Sequence, residues 1–207
     1  MSYKTSVEPP AQTNLPVIEE SEASPEVARL YAEYRSRFER DTIPGILKCF
    51  ATHPPLLMHM LGIAESLLFA EGALTRQEKE LLATFVSAGN ACAYCADSHG
   101  YFFRMHGGSE AELSALLSCR SDAQVFSARN QALLRFASLV NQGAHEIQPG
   151  AIAALREHGW STLQIAEAIH ITALFATFNR VVNAFGLPSQ GLLSNSMAAL
   201  SAAQPGS

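Results

Sequence analysis

Apolar residues along this chain recur at three- and four-residue intervals rather than alternately, and helix-starting and helix-ending residues punctuate the runs. Ser24, Pro25 and Glu26 open the first run, with serine placed to cap, proline in the first position, and Val27, Leu30, Tyr31 and Tyr34 on one face up to near Arg40. Thr42 to Gly45 reads as a turn before a short segment ending at Phe50. His53, Pro54 and Pro55 then start a longer helix carrying Leu56, Leu57, Met60, Leu61, Ala64, Leu67 and Leu68, which Gly72 stops. Thr75 and Glu78 have the spacing of a capping box, and Leu81, Leu82, Phe85 and Val86 mark the buried side of the helix that follows. Asn90, behind Gly89, predicts the N-cap of a helix running from about Ala91 to near His106, where Gly107 and Gly108 end it. Further helices are predicted after Ser109, from about Val125 to Asn141, after Pro149, and from Ser161 to about Phe185. The last is apolar on nearly every side, which makes it central to the domain or part of a subunit interface. No stretch shows strand alternation flanked by hairpin signals, so the predicted fold class is all-α.

Outside these runs the pattern fades. Residues 1–23, rich in Pro, Ser, Thr and Glu, predict an extended N-terminal arm; residues 24–188 form one helical domain; residues 189–207, rich in Ser, Ala and Gln, predict a flexible tail. A chain of 207 residues with 48% hydrophobic and 16% charged residues has ample material for a core without disulfide staples. A formal net charge of −5 and the lack of any basic run argue against a nucleic-acid partner. The first twenty residues hold no apolar signal-peptide core and no stretch has 18 consecutive apolar residues, so neither a signal peptide nor a membrane span is expected. The expected location is cytoplasmic, where thiols stay reduced and a pair of close cysteines is catalytic or metal-binding rather than structural.

That pair is Cys92 and Cys95, with His99 four residues further on. On a helix, positions 92 and 95 are neighbours, positions 95 and 99 are neighbours, and all three share one stripe. The first turn of a helix stabilises an anion, so a thiolate is favoured at Cys92. His99 is better placed to exchange a proton with Cys95, which makes Cys95 the expected attacking sulfur. Glu80, near the polar margin of the preceding helix, is the candidate acid–base carboxylate, with a raised pKa if partly buried. Two cysteines and a histidine also supply three zinc ligands, but no fourth follows, so no metal and no cofactor are expected. Cys49 and Cys119 are isolated. His170, in the apolar last helix, is read as a buried hydrogen-bonded residue or a pocket wall, and Asn179 with Arg180 as fixing the helix end or a subunit contact.

Lys79, Glu80, Ser87, Asn90, the Cys92–Cys95 pair, His99 and the run Phe178, Asn179, Arg180 are together similar to the carboxymuconolactone decarboxylase and alkylhydroperoxidase D superfamily, in its peroxidase-related branch. The likeness spans roughly residues 24 to 188 and includes the opening at Ser24, the helix 125–140 and the turn 155–161. It implies an all-helical AhpD-like fold that assembles as dimers, trimers or hexamers, and a thiol-dependent peroxidase that consumes hydrogen peroxide or organic hydroperoxides at the expense of a thiol or dithiol reductant. The roles it implies are attack by Cys95, resolution by Cys92, and proton relay by Glu80 and His99. One departure is that Tyr94 stands where the alkylhydroperoxidases carry a second histidine. Two other functions fit the residues: a dithiol–disulfide reductase, and a non-enzymatic helical module whose cysteine pair senses redox state.

Overall fold

Four serines and one threonine set where most of the long helices begin. Ser24, Thr75, Ser109, Ser127 and Ser161 each accept a backbone N–H from the first turn beyond them, and Glu78, Glu112 and Gln164 reach back to close capping boxes at three of these ends. The computed structural model describes residues 13–195, and every regular element among them is helical. The helices are α1 (Pro25–Phe38), α2 (Gly45–Phe50), α3 (Pro54–Ala64, continued by a π-helical turn over Glu65–Phe69), α4 (Arg76–Gly89), α5 (Ala93–Met105), α6 (Glu110–Leu117), α7 (Ala128–Gly143), α8 (Pro149–Glu157) and α9 (Thr162–Phe185). The all-α class read from the sequence is the class observed.

Helix α4 is the axis of the molecule. All nine residues from Lys79 to Ser87 are buried, because α5, α6, α7 and α9 pack round it. Leu81, Leu82, Phe85 and Val86 meet Phe103, Leu116, Leu133, Leu134, Ile171 and Phe175 in the main core. A second cluster joins α1, α2 and α3 to α9 through Leu30, Tyr31, Leu47, Phe50, Leu57, Leu174 and Phe178. Between them lies a small third cluster of Cys92, Tyr94, Cys95 and Val182. Helix α9 is central on one side only. Ile165, Ile171, Phe175 and Val182 are buried, whereas Leu163 is 73% exposed and His170, Ala173 and Thr177 also face outward.

The boundary at the cysteines differs from the sequence expectation. Asn90 does not start α5; it is the C-cap of α4. Ala91 follows with φ 51, the Ala91 N–H donates to Ala88 O at 3.0 Å, and the Cys92 N–H donates to Ser87 O at 2.9 Å. Those two bonds are the Schellman closure of a helix end, with alanine in the left-handed position that glycine usually holds. Cys92 is therefore the N-cap residue of α5, one position ahead of its first turn.

Of the arm, residues 1–12 lie outside the described residues; from residue 13 it lies against the domain. The Asn14 N–H donates to Phe185 O at 2.8 Å, and Tyr31 donates its hydroxyl proton to Ile18 O at 2.8 Å. Gly186 ends α9 at φ 74, and a Cβ there would stand 2.9 Å from the Asn14 side chain. Of the tail, residues 196–207 lie outside the described residues. Its inner part returns to α5, where the Asp97 carboxylate accepts the backbone N–H groups of Leu192 and Leu193, both at 2.9 Å.

Because a left-handed alanine costs about 1–2 kcal/mol and a β-branched residue there costs more, Ala91→Val is expected to lower stability in urea by at least about 1–2 kcal/mol. Ala91→Gly relieves that strain while loosening the unfolded chain by a similar amount, so its midpoint should stay within about 1 kcal/mol of the parent. Equal behaviour of the two variants would show that the turn relaxes without cost.

Candidate active site

The reversal at Ala91 lays α5 back against α4, and this brings the start of α4 to the middle of α5. There the Glu80 carboxylate, with no solvent exposure, is shared between two cationic or proton-donating groups. Its Oε2 lies 2.7 Å from His99 Nδ1, and its Oε1 accepts from Arg76 Nε at 2.8 Å and pairs with Arg76 Nη2 at 2.7 Å. Arg76, one turn earlier on the same helix, is anchored in turn by its Nη1 donating to Leu68 O at 3.1 Å. Burial by itself raises the Glu80 pKa, but His99 and then Arg76 outweigh it and hold the carboxyl below its ordinary value. This corrects the sequence expectation of a partly buried, raised carboxylate: the periodic pattern gave no sign that Arg76 folds down onto it.

An ionised carboxylate at Nδ1 requires that nitrogen to carry a proton, so in the neutral ring Nε2 of His99 is the acceptor. The ring is further fixed edge-on against Phe175, with centroids 4.5 Å apart, and its side chain keeps 18% exposure. Glu80 thus orients the imidazole, and the imidazole is the group able to accept a proton.

Cys92 and Cys95 are both reduced and buried. The Cys95 thiol donates to Cys92, and chiefly for that reason the Cys92 pKa falls below the usual thiol value despite burial; the Cys95 N–H and the Asn179 amide add to the effect. No side-chain hydrogen bond closes over this helix end, so the Cys95 N–H acts on the sulfur as a dipole rather than as a formed cap. The donated bond, burial and the neighbouring anion together push Cys95 up. Of the two thiols, Cys92 is therefore the more readily ionised. His99 is one turn beyond Cys95, and among the described residues no hydrogen bond joins the two.

Tyr94 packs in the same cluster as the two cysteines. Its hydroxyl oxygen accepts the Ile46 N–H at 3.5 Å, burial raises its pKa, and it ties α5 to α2. Burial pushes the isolated Cys49 up to about 12, so it is a neutral thiol near pH 7. Among the described residues no three His, Cys, Asp or Glu side chains converge in a way that could hold a metal ion.

The sequence reading overlooked a chain of amides behind the cysteines. Asn179, fully buried, donates from Nδ2 to Ser87 Oγ at 3.0 Å and accepts from Asn90 Nδ2 at 3.0 Å. Asn90 and Asn141 bond each other reciprocally at 3.1 and 2.9 Å. Arg180 is exposed, with Nη1 bonded to Ala176 O, and His170 is exposed rather than buried. The signal was present: Asn179 falls on the buried stripe of α9 between Phe175 and Val182, where a polar side chain must find partners.

Two outcomes follow from this electrostatic arrangement. Glu80→Gln keeps the shape but removes a buried charge with two partners, at a cost of about 2–4 kcal/mol near neutral pH. The folded pKa is depressed, so the stability gap is complete above the ordinary value of 4.5 and closes as pH falls through the folded value. Urea unfolding of both proteins at pH 7 and pH 3 checks this, and an equal gap at both would contradict it. Thiolate absorbance near 240 nm should rise with a midpoint below 9.0, the ordinary value for a thiol, and Cys92→Ser should move that midpoint above it.

The sequence model of the carboxymuconolactone decarboxylase family matches residues 54–137, a span holding Glu80, Cys92, Cys95 and His99. No functionally curated protein matches the chain. Among solved structures, the alkylhydroperoxidase AhpD core of an uncharacterized peroxidase-related protein from Ralstonia eutropha JMP134 is 25% identical, covers 87% of this chain and 94% of its own, and superposes with a TM-score of 0.76. An uncharacterized peroxidase-related protein from Silicibacter sp. TM1040 is 26% identical, covers 88% and 94%, and also gives 0.76. The debrominase Bmp8, solved as a cysteine-to-alanine variant in complex with 2,3,4-tribromopyrrole, shares the fold at 14% identity and a TM-score of 0.70 over 91% of this chain and 98% of its own. By the family match across its site helices and by the fold of its described domain, this chain is similar to the carboxymuconolactone decarboxylase family and to AhpD-like peroxidase-related proteins.

Proposed function

We propose that this protein is a thiol-dependent peroxidase that reduces hydrogen peroxide or organic hydroperoxides through the Cys92–Cys95 dithiol. The observation that carries this reading is an imidazole oriented by a buried carboxylate at 2.7 Å, one helical turn from a close cysteine pair. The peroxidase-related structures of similar fold support it.

Cys95 is the less readily ionised thiol, so attack from Cys95 needs a base, and Nε2 of His99 is the acceptor one turn away. The Cys95 thiolate attacks one peroxide oxygen, the O–O bond breaks, and the departing alkoxide takes the proton from His99 and leaves as an alcohol. Cys95 is then a sulfenic acid. Cys92, already favoured as the anion, attacks that sulfur and expels hydroxide, which leaves as water once protonated, and a Cys92–Cys95 disulfide remains. An external thiol or dithiol supplies the two electrons that restore the pair. Glu80 keeps its charge throughout and acts by fixing the histidine tautomer, as the carboxylate does in a serine-protease triad.

Steady-state peroxide consumption with a supplied dithiol tests the proposal. Cys95→Ser should abolish turnover, while Cys92→Ser should allow one attack and accumulate a sulfenic acid that dimedone traps on Cys95. Glu80→Gln, assayed well below its unfolding temperature, should lose about 10²- to 10⁴-fold in kcat. Trapping on Cys92 in the Cys95→Ser protein would reverse the two sulfur roles. Disulfide substrates reduced without any peroxide consumption would replace the peroxidase by a dithiol–disulfide reductase, which an anion on the first cysteine also suits.

We also propose that copies of the chain self-associate. Met58 at 47%, Ile63 at 38% and Phe69 at 45% exposure leave the outer side of α3 and its π turn apolar, and Leu163 does the same on α9. Light scattering that gives a monomer at all concentrations would remove this.

A further inference from the structure

We propose that Arg76 is a positioning residue of the acid–base pair: by neutralising the buried Glu80 carboxylate it leaves Nε2 of His99 without a proton and able to accept one. This role rests on the reading of His99 as the base that serves the thiols, and it concerns the proton count on Glu80 and His99 rather than the oxidant.

Three nitrogens and one face of the guanidinium are engaged here. Nε and Nη2 of Arg76 both lie on Glu80 Oε1, at 2.8 and 2.7 Å, and Oε2 is left to His99 Nδ1 at 2.7 Å. Arg76 Nη1 donates to Leu68 O at 3.1 Å, and the guanidinium carbon stands 4.7 Å from the centroid of the Phe69 ring. Both anchors belong to the π-helical turn Glu65–Phe69. The chain leaves helical geometry at Ala70, so Leu68 O is an end carbonyl open to a side-chain donor. The turn thus aims the arginine at the carboxylate. Lys79, the cation next to Glu80 in sequence, cannot take its place, because its Nζ is held by Glu167 Oε1 at 2.8 Å and by Ala70 O at 2.9 Å.

Removal of the guanidinium leaves a carboxylate with no exposure and one remaining partner, His99. The pair then takes up a second proton, and it has two ways to hold it. Either the ring carries both protons as imidazolium beside an ionised carboxylate, or protonated Glu80 donates to Nδ1 and the proton of the ring moves to Nε2. In both arrangements Nε2 is protonated and accepts nothing. With Arg76 in place, the guanidinium carries the positive charge that the imidazolium would otherwise supply. The other charged groups of the packed elements are engaged elsewhere: Glu167 on α9 with Lys79, Asp97 on α5 with the Leu192 and Leu193 N–H groups, and Glu65 on the π turn with Arg37. Phe175 and Phe102 meet the imidazole without charge, Arg40 lies over the Phe102 ring at 5.3 Å, and Cys95, one turn earlier on α5, is the less readily ionised thiol of its pair.

Ring ¹⁵N resonances of His99 report the proton count directly. In Arg76→Gln the pH at which Nε2 gains its proton should rise by about 1–3 units, the usual effect of one opposite charge beside a carboxylate. Arg76→Lys, which keeps the charge, should recover most of that rise. In a Glu80→Gln background, removal of Arg76 should move the ring far less, because the carboxylate through which it acts is gone. An unmoved Nε2 in Arg76→Gln overturns the proposal, and so does an undiminished rise without the carboxylate or a lysine variant that behaves as the glutamine one. Where peroxide is turned over, the acid limb of kcat/KM should move with the ring, so that activity lost near neutral pH returns in alkaline solution. Loss by the same factor at every pH marks a merely structural arginine and overturns the proposal.

A measurement on the unaltered protein covers variants that do not fold. The Arg76 guanidinium should be held rigid near neutral pH, with separate Nη1 and Nη2 resonances and a slowly exchanging Nε–H, and a freely rotating group with averaged resonances overturns the inference. A protein that consumes no peroxide loses the peroxidase reading, and the His99 titration still decides the role of Arg76. A protein that consumes peroxide while Arg76→Gln leaves Nε2 unmoved keeps that reading and loses this one.

Discussion

A carboxylate with no exposure to water must be paired, and the pairing of Glu80 organises this molecule. Leaving such a charge without partners would cost several kcal/mol, a large part of the stability of an ordinary domain. Arg76 supplies a partner from the same helix and His99 supplies one from α5, so α4 and α5 are held in a single register by the ions as well as by Phe85 and Phe103. The constraint works in both directions. The imidazole can present only Nε2 outward, and the carboxylate can stay ionised only while the imidazole and guanidinium remain in place.

The same helix solves the burial problem a second time on its other side. Lys79 is 1% exposed, and it reaches Glu167 of α9 at 2.8 Å and Ala70 O at 2.9 Å. Hydrogen bonds from the Leu74 N–H and Lys79 keep Glu167 ionised against its partial burial. Helix α4 thus carries adjacent opposite charges into the interior, each pinned to a different neighbour. Register against α5 and register against α9 are fixed separately, from adjacent residues of one helix.

Much of this was legible in the amino-acid pattern, and the losses have physical causes. Capping spacing at Ser24, Thr75, Ser109 and Ser161 located helix starts because those bonds are local in sequence. Glu80, the cysteines and His99 could be picked out by residue type and spacing. Asn90 was misread because asparagine suits both a helix start and a helix end, and the left-handed backbone at Ala91 has no marker in an alanine. The lowered pKa of Glu80 was not legible, since it depends on where a flexible arginine points. Asn179 was seen but assigned elsewhere, because its partners come from α4 and from the turn that follows it, distant in sequence. The hold of Asp97 on Leu192 and Leu193 was missed for the same reason.

That last contact gives the cysteine-bearing helix a second audience. Asp97 lies two residues beyond Cys95, and its two carboxylate oxygens nucleate the turn that begins at Leu192. Gln190 adds a bond to Ser98 at 3.3 Å, and Leu193 packs on the main core. Any rotation of the first turns of α5 pulls on both carboxylate oxygens together, so a segment nearly a hundred residues away in sequence is mechanically geared to the sulfur pair. Exchange of the Leu192 and Leu193 amide protons with solvent is thereby a local strain gauge for α5, read far along the chain from where the chemistry is placed.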